Sequence, residues 1–262
     1  MTDWVAVCRA AVGDVRTVLE DLPTRVEREP VLSQGEGGDD TTAVDQAAED
    51  AILARLRDLD VTVVSEEAGR FGTGSTLVVV DPIDGSLNAK RGIPFFSLSI
   101  AFADGETMDD VFLGYVYDFG TGEEWIGRRG EGATLDGDPL GAVKPKKTIE
   151  ILSFEATLTS LIAEHAASMN GIAHRLRVMG SLALSLCHLA AGRVDGVCSL
   201  KPARSVDIAA AQLLCREAGL SVELFDDPRG FGEAELDLVG RSRIAAAGNA
   251  ALCSELAAAL SA

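Results

Sequence analysis

The sequence predicts a mixed protein of two lobes, an antiparallel α+β lobe followed by an α/β lobe. The first observation is a pair of apolar runs, Val61–Val64 and Leu77–Val80, which have strand length and the β-branched residues of buried strands. The second is the helical spacing of apolar residues upstream of both runs. The third is a composition change at 144–147, after which strands and helices alternate. We therefore expect the lobes to be residues 1–147 and 148–262.

The first lobe is expected to open with a helix over Trp4–Leu22, where apolar residues recur every three or four positions. A loop is expected at 35–40, because a segment so rich in glycine and acid cannot bury apolar area. The next helix is expected over Ala43–Leu59. Antiparallel strands are then expected over Phe95–Phe102, Asp110–Asp118 and Glu123–Gly127. The glycine-rich segment 127–132 is interpreted as a hairpin, because no helix follows it.

The second lobe is expected to begin with a strand at Ile149–Leu152. An apolar helix is expected over Ser181–Ala191 and a short strand over Gly196–Leu200. A further helix is expected over Ile208–Gly219, which ends at a glycine cap. This alternation is typical of an α/β lobe that packs helices on a sheet.

Composition and charge exclude several classes of protein. The 262 residues are 47% hydrophobic, which is enough for a sizeable core, and the formal charge of −18 argues against nucleic-acid binding. No apolar run approaches the roughly 20 residues of a membrane-spanning helix and the amino terminus lacks a basic segment, so we expect a cytoplasmic protein without membrane partners. The five cysteines are odd in number and lack metal-ligand spacing, so we expect reduced, mostly buried thiols.

The segment Asp81–Ser86 is the strongest indication of chemistry. It places two carboxylates, Asp81 and Asp84, after an apolar run that Pro82 is expected to end. Mg²⁺ takes oxygen ligands, usually one or two carboxylates together with water and phosphate oxygens. Gly85 opens a turn whose backbone N–H groups are free to bind a phosphate. The alternative is a simple Asp-Gly turn between two strands.

Two further acidic positions lie at element boundaries. Glu66 and Glu67 follow the run 61–64 at a second strand exit, and adjacent carboxylates repel each other unless they are solvated or bind a cation. Asp207 precedes an alanine-rich helical segment. The alternatives are a solvated loop for the two glutamates and a helix N-cap for Asp207, and capping is compatible with metal ligation.

Three segments, in this order, carry a resemblance to a known family. They are Ser65-Glu66-Glu67, Asp81-Pro82-Ile83-Asp84-Gly85-Ser86-Leu87-Asn88 and Ser205-Val206-Asp207-Ile208-Ala209-Ala210. Together they resemble the motifs of the inositol monophosphatase family, and the resemblance covers nearly the whole chain. The archaeal-type branch, which hydrolyses inositol phosphates and fructose 1,6-bisphosphate, is the most similar. The resemblance implies the layered αβαβα sugar-phosphatase sandwich as the fold.

The resemblance also implies hydrolysis of phosphate monoesters by a metal-activated water, with two or three Mg²⁺ ions as cofactors. The implied metal ligands are Glu66, Asp81, the Ile83 carbonyl, Asp84 and Asp207. Most of them lie in the first lobe, and the second lobe contributes Asp207 and the substrate side of the pocket. Residues implied near a third, weaker ion are Glu67, Asp39 and Asp40. A solvated loop is the alternative for the two aspartates.

Catalytic and substrate-binding roles follow from the same resemblance. The implied catalytic residues are Glu66, Ser86 and Asp45, of which Ser86 activates the water, and Asp45 supports it. Many relatives carry threonine at the position of Ser86. The implied substrate-binding residues are Gly85, Ser86, Gly180, Ser181, Leu182 and Lys201. Lys201 is the first choice for a second phosphate among nearby basic residues, which include Arg204, and surface solubility is its alternative.

We therefore expect a Mg²⁺-dependent phosphatase of small sugar phosphates, with fructose 1,6-bisphosphate and inositol monophosphate as candidate substrates. The family usually forms dimers, so a homodimer is expected. One alternative is a phosphatase of nucleotide substrates of the NADP or 3′-phosphoadenosine 5′-phosphate type. Another is a non-catalytic regulatory partner protein that retains the metal site, which the intact ligand set disfavours.

Overall fold

The computed structural model describes residues 2–141, 146, 148–156 and 158–261. The helices are α1 (Trp4–Asp21), α2 (Arg25–Arg28), α3 (Ala43–Leu56), α4 (Ser86–Arg91), α5 (Thr159–His165), α6 (Leu182–Ala190), α7 (Ser205–Glu217) and α8 (Ala250–Ser261). The strands are β1 (Val31–Gln34), β2 (Asp40–Thr42), β3 (Val61–Ser65), β4 (Gly69–Gly72), β5 (Thr76–Asp84), β6 (Ser97–Ala103), β7 (Val111–Asp118), β8 (Glu124–Arg128), β9 (Gly132–Leu135), β10 (Asp138–Pro139), β11 (Ile149–Glu155), β12 (Ala173–Arg177), β13 (Gly196–Ser199), β14 (Ser221–Leu224) and β15 (Ile244–Ala247). Short 3₁₀ turns lie at Met108–Asp110, Ala166–Met169 and Phe231–Glu233.

The larger sheet of the described chain has the strand order β10-β9-β8-β7-β6-β5-β3-β4. Its neighbours pair antiparallel, except that β3 and β5 are parallel. Every residue of β3 is buried, as is nearly all of β5, which agrees with the continuous apolar runs in their sequences. Because β3 and β5 run in the same direction, their carboxyl ends lie side by side at one edge of the sheet.

Strands β1 and β2 form a separate two-stranded antiparallel sheet, and the smaller of the two main sheets has the order β12-β11-β13-β15-β14. Here β11 pairs parallel with β12 and β13, while β15 is antiparallel to both of its neighbours. Helices connect the parallel strands, as the alternating sequence predicts. The boundary expected at 144–147 falls mostly on residues that lie outside the described ranges, so the division into two lobes stays a prediction.

The elements pack into five layers. Helices α1 and α3 cover one face of the larger sheet, where Val15 and Ile52 join the core with Val78 and Phe102. Helices α6 and α7 fill the space between the two sheets. Helix α8 covers the outer face of the smaller sheet, with Leu256 in a third core. The predicted αβαβα arrangement is confirmed.

Helix α7 lies directly on the larger sheet because two strand residues lack side chains. A Cβ atom at Gly114 in β7 would collide with the carbonyl of Ala210, and one at Gly127 in β8 would lie 3.1 Å from the Leu214 nitrogen. Glycine therefore allows the helix backbone to approach the sheet more closely than any other residue would.

Several predicted boundaries are wrong, and two of them concern the acidic residues of the site. Strand β5 does not end at Asp81 but continues through Pro82 to Asp84. A register shift between Asp81 and Asp84 absorbs the proline, whose missing N–H would otherwise leave a gap in the ladder. Helix α7 begins at Ser205 rather than Ile208, so Asp207 lies within its first turn.

Other expectations are met. Segment 127–132 joins β8 to β9 as an antiparallel hairpin, as predicted. The cysteines, at positions 8, 187, 198, 215 and 253, are free and buried. Within the described ranges, no helix has both the length and the apolar character that crossing a bilayer requires.

Candidate metal centre

Three carboxylates meet at the carboxyl ends of the parallel strands. Glu66 directly follows β3, Asp81 lies near the end of β5, and Asp207 reaches them from the first turn of α7. One oxygen from each lies within 4.8 Å of the others. Asp81 is buried and the other two are half-buried. Oxygen donors grouped in this way match the preference of a hard divalent cation such as Mg²⁺.

Asp81 is held where β5 bends. Its Oδ1 accepts a hydrogen bond of 3.1 Å from the Ile83 nitrogen, so the register shift after Asp81 orients the carboxylate. Burial raises the pKa of Asp81 well above its usual value, and the negative charges of Glu66 and Asp84 raise it further. The ionised carboxylate is therefore unfavourable here unless a cation lies next to it.

Asp84 follows at the end of β5 and bonds to the start of helix α6. Its Oδ2 accepts hydrogen bonds from the Ser181 hydroxyl at 2.6 Å and from the Ala183 nitrogen at 2.7 Å. Burial raises the pKa of Asp84 to about 7, although the Ser181 bond opposes this effect. Ser181 is also the N-cap of α6, so it links the helix to the acidic segment.

Arg204 is the positive charge of the site. Its Nη2 lies 2.5 Å from Glu66 Oε1 and 3.0 Å from Asp207 Oδ1. Burial raises the pKa of Glu66 to about 8, and the Arg204 charge acts in the opposite direction. The sequence indicates Arg204 only as a basic residue near a phosphate, so its contact with Glu66 was not predicted.

Asp45 and Ser86, the predicted catalytic pair, have separate partners. Asp45 lies in the first turn of α3, where its Oδ2 accepts bonds from the Thr42 hydroxyl at 2.6 Å and the Thr42 nitrogen at 3.1 Å. Its Oδ1 is buried and has no partner among the described residues. The Ser86 hydroxyl donates to the Ile83 carbonyl at 2.9 Å, so this carbonyl already accepts one bond.

The glycine turn after Asp84 contacts the segment before α6. Gly85 has a φ of 95°, a left-handed conformation that favours glycine. A Cβ atom there would lie 3.1 Å from the Gly180 carbonyl. The Asn88 amide also bridges the segments, since it donates to the carbonyls of Phe95 and Met179, each at 2.8 Å. The structure thus brings the predicted substrate-binding residues Gly85, Ser86, Gly180, Ser181 and Leu182 together.

A buried glutamate that the sequence analysis missed holds the Gly180 segment in place. Glu155, the last residue of β11, accepts from the Gly180 nitrogen at 2.8 Å and from the hydroxyls of Ser153 at 2.7 Å and Ser185 at 2.8 Å. It is 6% exposed. The signal in the sequence is an acidic residue at the end of an apolar strand.

A second missed glutamate lies beneath the exit of β3. Glu49 is 1% exposed on helix α3, and its Oε1 accepts from the Ser65 hydroxyl and from the nitrogens of Glu67 at 3.3 Å and Ala68 at 3.0 Å. The position of Glu49 on the buried face of a helix is the feature of the sequence that could have indicated this role. It fixes the backbone on either side of Glu66.

The residues predicted near a third ion lie around the same loop but outside the group of three. Glu67 accepts from the Thr41 hydroxyl, and Asp39 pairs with Lys201 at 3.3 Å. Asp40 is exposed at the start of β2. Lys201 is half-exposed, and Asp39 is its partner in the structure.

The layered fold and the oxygen-rich site together define a phosphatase. A model of the inositol monophosphatase family matches residues 3–261. The chain belongs to this family, and the predicted membership is confirmed.

Two relatives and one solved structure match most of the chain. The chain is 34% identical over 248 residues to a fructose-1,6-bisphosphatase/inositol-1-monophosphatase of Archaeoglobus fulgidus, with 94% of this chain and 93% of the relative covered. It is 38% identical over 193 residues to the Nus factor SuhB of Pasteurella multocida, with 69% and 70% covered. A crystal structure of an inositol monophosphatase-fructose 1,6 bisphosphatase superposes with a TM-score of 0.86 at 25% identity, covering 98% of this chain and all of that one.

Proposed function

We propose that this chain is a Mg²⁺-dependent phosphatase of small sugar phosphate monoesters, with fructose 1,6-bisphosphate and inositol monophosphate as substrates. The observation that carries the proposal is the convergence of Glu66, Asp81 and Asp207 within 4.8 Å of one another. The two relatives with combined names, the A. fulgidus protein and the solved structure, support the choice of substrates.

The donor set fits the proposed ions, because every candidate ligand is a carboxylate or carbonyl oxygen. The proposed ligands are Glu66, Asp81, the Ile83 carbonyl, Asp84 and Asp207, and the proposed ligands of a third ion are Glu67, Asp39 and Asp40. When bound, a divalent ion would neutralise charge on the phosphate and make a water molecule more acidic near neutral pH. The raised pKa values of Glu66 and Asp81 support this assignment, since their ionised forms lack enough compensating charge.

In this proposal water attacks the phosphorus atom opposite the sugar oxygen, which leaves as the alcohol or alkoxide. Ser86 orients the attacking water, and Asp45 accepts a hydrogen bond from Ser86. The unpartnered Oδ1 of Asp45 supports this role, because a buried carboxylate oxygen normally has a donor. The Ser86 hydroxyl donates to the Ile83 carbonyl in the structure, so its rotation is part of the proposal.

The glycine turn and the Gly180 segment are proposed to hold the substrate. The nitrogens of Gly85 and Ser86 would donate to the phosphate, and Gly180, Ser181 and Leu182 would line the sugar side. Lys201 would bind a second phosphate in place of Asp39, which it contacts at 3.3 Å. When a bisphosphate binds, its second phosphate would replace the Asp39 carboxylate as the partner of Lys201.

Phosphate release tests the proposal directly. We expect release from fructose 1,6-bisphosphate and from inositol 1-phosphate with Mg²⁺, and none after chelation. Asp84→Asn should abolish release, while Asp104→Asn, which changes a surface ion pair with Arg129, should leave it unchanged. Preference for the bisphosphate would support the role of Lys201, and preference for the inositol ester would contradict that role. Absence of Mg²⁺-dependent release from both would contradict the proposed activity.

A second candidate is a regulatory partner protein, which the similarity to a Nus factor SuhB favours. A folded chain without turnover on either ester would support this alternative.

We further propose a homodimer, for which light scattering after size exclusion should give twice the chain mass of 27.4 kDa. A single-chain mass would contradict it.

A further inference from the structure

Arg204 lies within the acidic site rather than beside it. Its side chain is 8% exposed and contacts Glu66 at 2.5 Å, Asp207 at 3.0 Å and Asp39 at 3.5 Å. Its Nη1 is buried and has no hydrogen-bond partner among the described residues. The guanidinium thus faces three carboxylates, and its Nη1 lies 3.5 Å from Asp39 without forming a hydrogen bond.

Two segments of the chain, the start of helix α7 and the loop at Gly37, surround the Arg204 guanidinium. The backbone nitrogen of Arg204 donates to Asp207 Oδ2 at 2.7 Å, which places the arginine at the start of helix α7. On the opposite side, the Gly37 nitrogen donates to the Glu66 carbonyl at 2.8 Å, and a Cβ atom at Gly37 would collide with Nη1. Both the helix and the loop are therefore arranged around the arginine.

The neighbouring basic residues contact other groups. Lys201 pairs with Asp39, and Arg241 donates to the Gly37 carbonyl. Neither contact reaches Glu66 or Asp207. Arg204 therefore supplies the close positive charge that the grouped carboxylates need when they are ionised.

We propose that Arg204 is the internal counter-ion of the metal-free site and competes with a divalent cation for Glu66 and Asp207. This inference rests on the proposed function, because it assigns these two carboxylates as metal ligands. A cation that binds both carboxylates would compete with the guanidinium for their negative charge. Arg204 therefore stabilises the metal-free protein and weakens its affinity for the metal. Replacing Arg204 with a neutral side chain should therefore destabilise the metal-free protein and strengthen its binding of the metal.

The test is Mn²⁺ binding to the full-length chain after treatment with EDTA, followed by electron paramagnetic resonance. Arg204→Gln should bind Mn²⁺ at least about tenfold more tightly than the wild type, as expected when a competing buried charge is removed. Its melting temperature in EDTA should fall, and the increase in melting temperature on adding Mn²⁺ should be larger than for the wild type. Arg241→Gln is the matched control and should change the Mn²⁺ affinity less than Arg204→Gln does.

Arg204→Lys provides a second variant in case the glutamine variant does not fold. Lysine keeps the charge but loses the fork that contacts two carboxylates, so its Mn²⁺ affinity should lie between those of the wild type and Arg204→Gln. Unchanged or weaker Mn²⁺ binding by a folded Arg204 variant would overturn the inference, and Mg²⁺-dependent phosphate release by the wild type would then leave the proposed function standing. If the wild type and both variants fail to bind Mn²⁺, this result would contradict the inference and the proposed function alike.

Discussion

This molecule contains two kinds of buried carboxylate. Glu49 and Glu155 each accept several hydrogen bonds from nearby hydroxyl groups and backbone nitrogens. Glu66, Asp81 and Asp207 instead face one another, and the charge that Arg204 supplies is shared between Glu66 and Asp207. Both kinds are largely removed from water. They differ in their surroundings, because Glu66, Asp81 and Asp207 lie close to one another's negative charge whereas Glu49 and Glu155 are surrounded by hydrogen-bond donors.

This difference separates supporting carboxylates from ligands. A buried carboxylate is stable when donors satisfy its oxygens, and it then fixes the segments that supply those donors. Glu49 and Glu155 fix the backbone around Glu66 and Gly180 in this way. The grouped carboxylates accept bonds from Ile83 and Arg204 but also face one another's negative charge, so the fold holds them in an arrangement that a cation can stabilise. The supporting residues therefore maintain the geometry of the others.

The largest expected effect is on catalysis, from Asp81→Asn. Loss of a carboxylate from the metal site should lower the rate of phosphate release at least about a thousandfold, because such a group contributes several kcal/mol. The melting temperature in EDTA should not fall, since the substitution removes repulsion. Parallel assays of release and thermal melting check both statements. A clear loss of stability in EDTA would show that Asp81 supports the fold as Glu49 and Glu155 do, and would contradict the difference between the two kinds of carboxylate.

Glu155→Gln should have the largest effect on stability. Its amide group would face donors at Gly180, Ser153 and Ser185, and the unmet bonds should lower the free energy of unfolding by about 2–3 kcal/mol. Urea denaturation measures the change. Glu150→Gln, which removes an exposed ion pair with Arg175, should change the free energy of unfolding by less than about 0.5 kcal/mol. Equal effects of both variants would contradict a supporting role for Glu155.

Glu49→Gln should have a smaller effect, about 1–2 kcal/mol, because Glu49 accepts three bonds whereas Glu155 also accepts a fourth, from the Met179 nitrogen at 3.4 Å. Part of that energy is shared with Ser65, whose hydroxyl donates to Glu49. A double-mutant cycle with Ser65→Ala should therefore give a coupling energy of at least about 0.5 kcal/mol. Strict additivity of the two substitutions would show that the hydrogen bond does not contribute to stability.

The smallest expected effect concerns His188, a half-buried base on helix α6. Its ring lies between Phe95 and Trp125, and burial lowers its pKa below the usual 6.5, with Arg193 lowering it further. The folded chain then binds this proton less readily than the unfolded chain. The contribution of His188 to stability is complete above pH 6.5 and is lost as the pH falls towards the lower folded-state pKa. His188→Gln should reduce the fall in melting temperature between pH 7 and pH 5, and an unchanged fall would contradict this assignment.

Local patterns in the sequence predict much of this structure. The apolar runs of β3 and β5, the acidic residues after them and the helix that carries Asp207 all follow from neighbouring residues. The contact between Glu66 and Arg204 could not be predicted, because it depends on how helix α7 packs on the larger sheet. The roles of Glu49 and Glu155 were missed for the same reason, since most of their donors come from other elements. The passage of β5 through Pro82 depends on a register shift that no local pattern indicates.

The glycines beneath helix α7 have a consequence for how such a protein can diversify. Gly114 and Gly127 seat the helix on the larger sheet, so the position of Asp207 depends on that sheet although the residue comes from the second half of the chain. Residues on the face of the smaller sheet that packs against α8 can therefore change without displacing this carboxylate from Glu66 and Asp81. Natural or laboratory evolution could alter the recognition of the alcohol group while the hydrolytic chemistry is inherited intact.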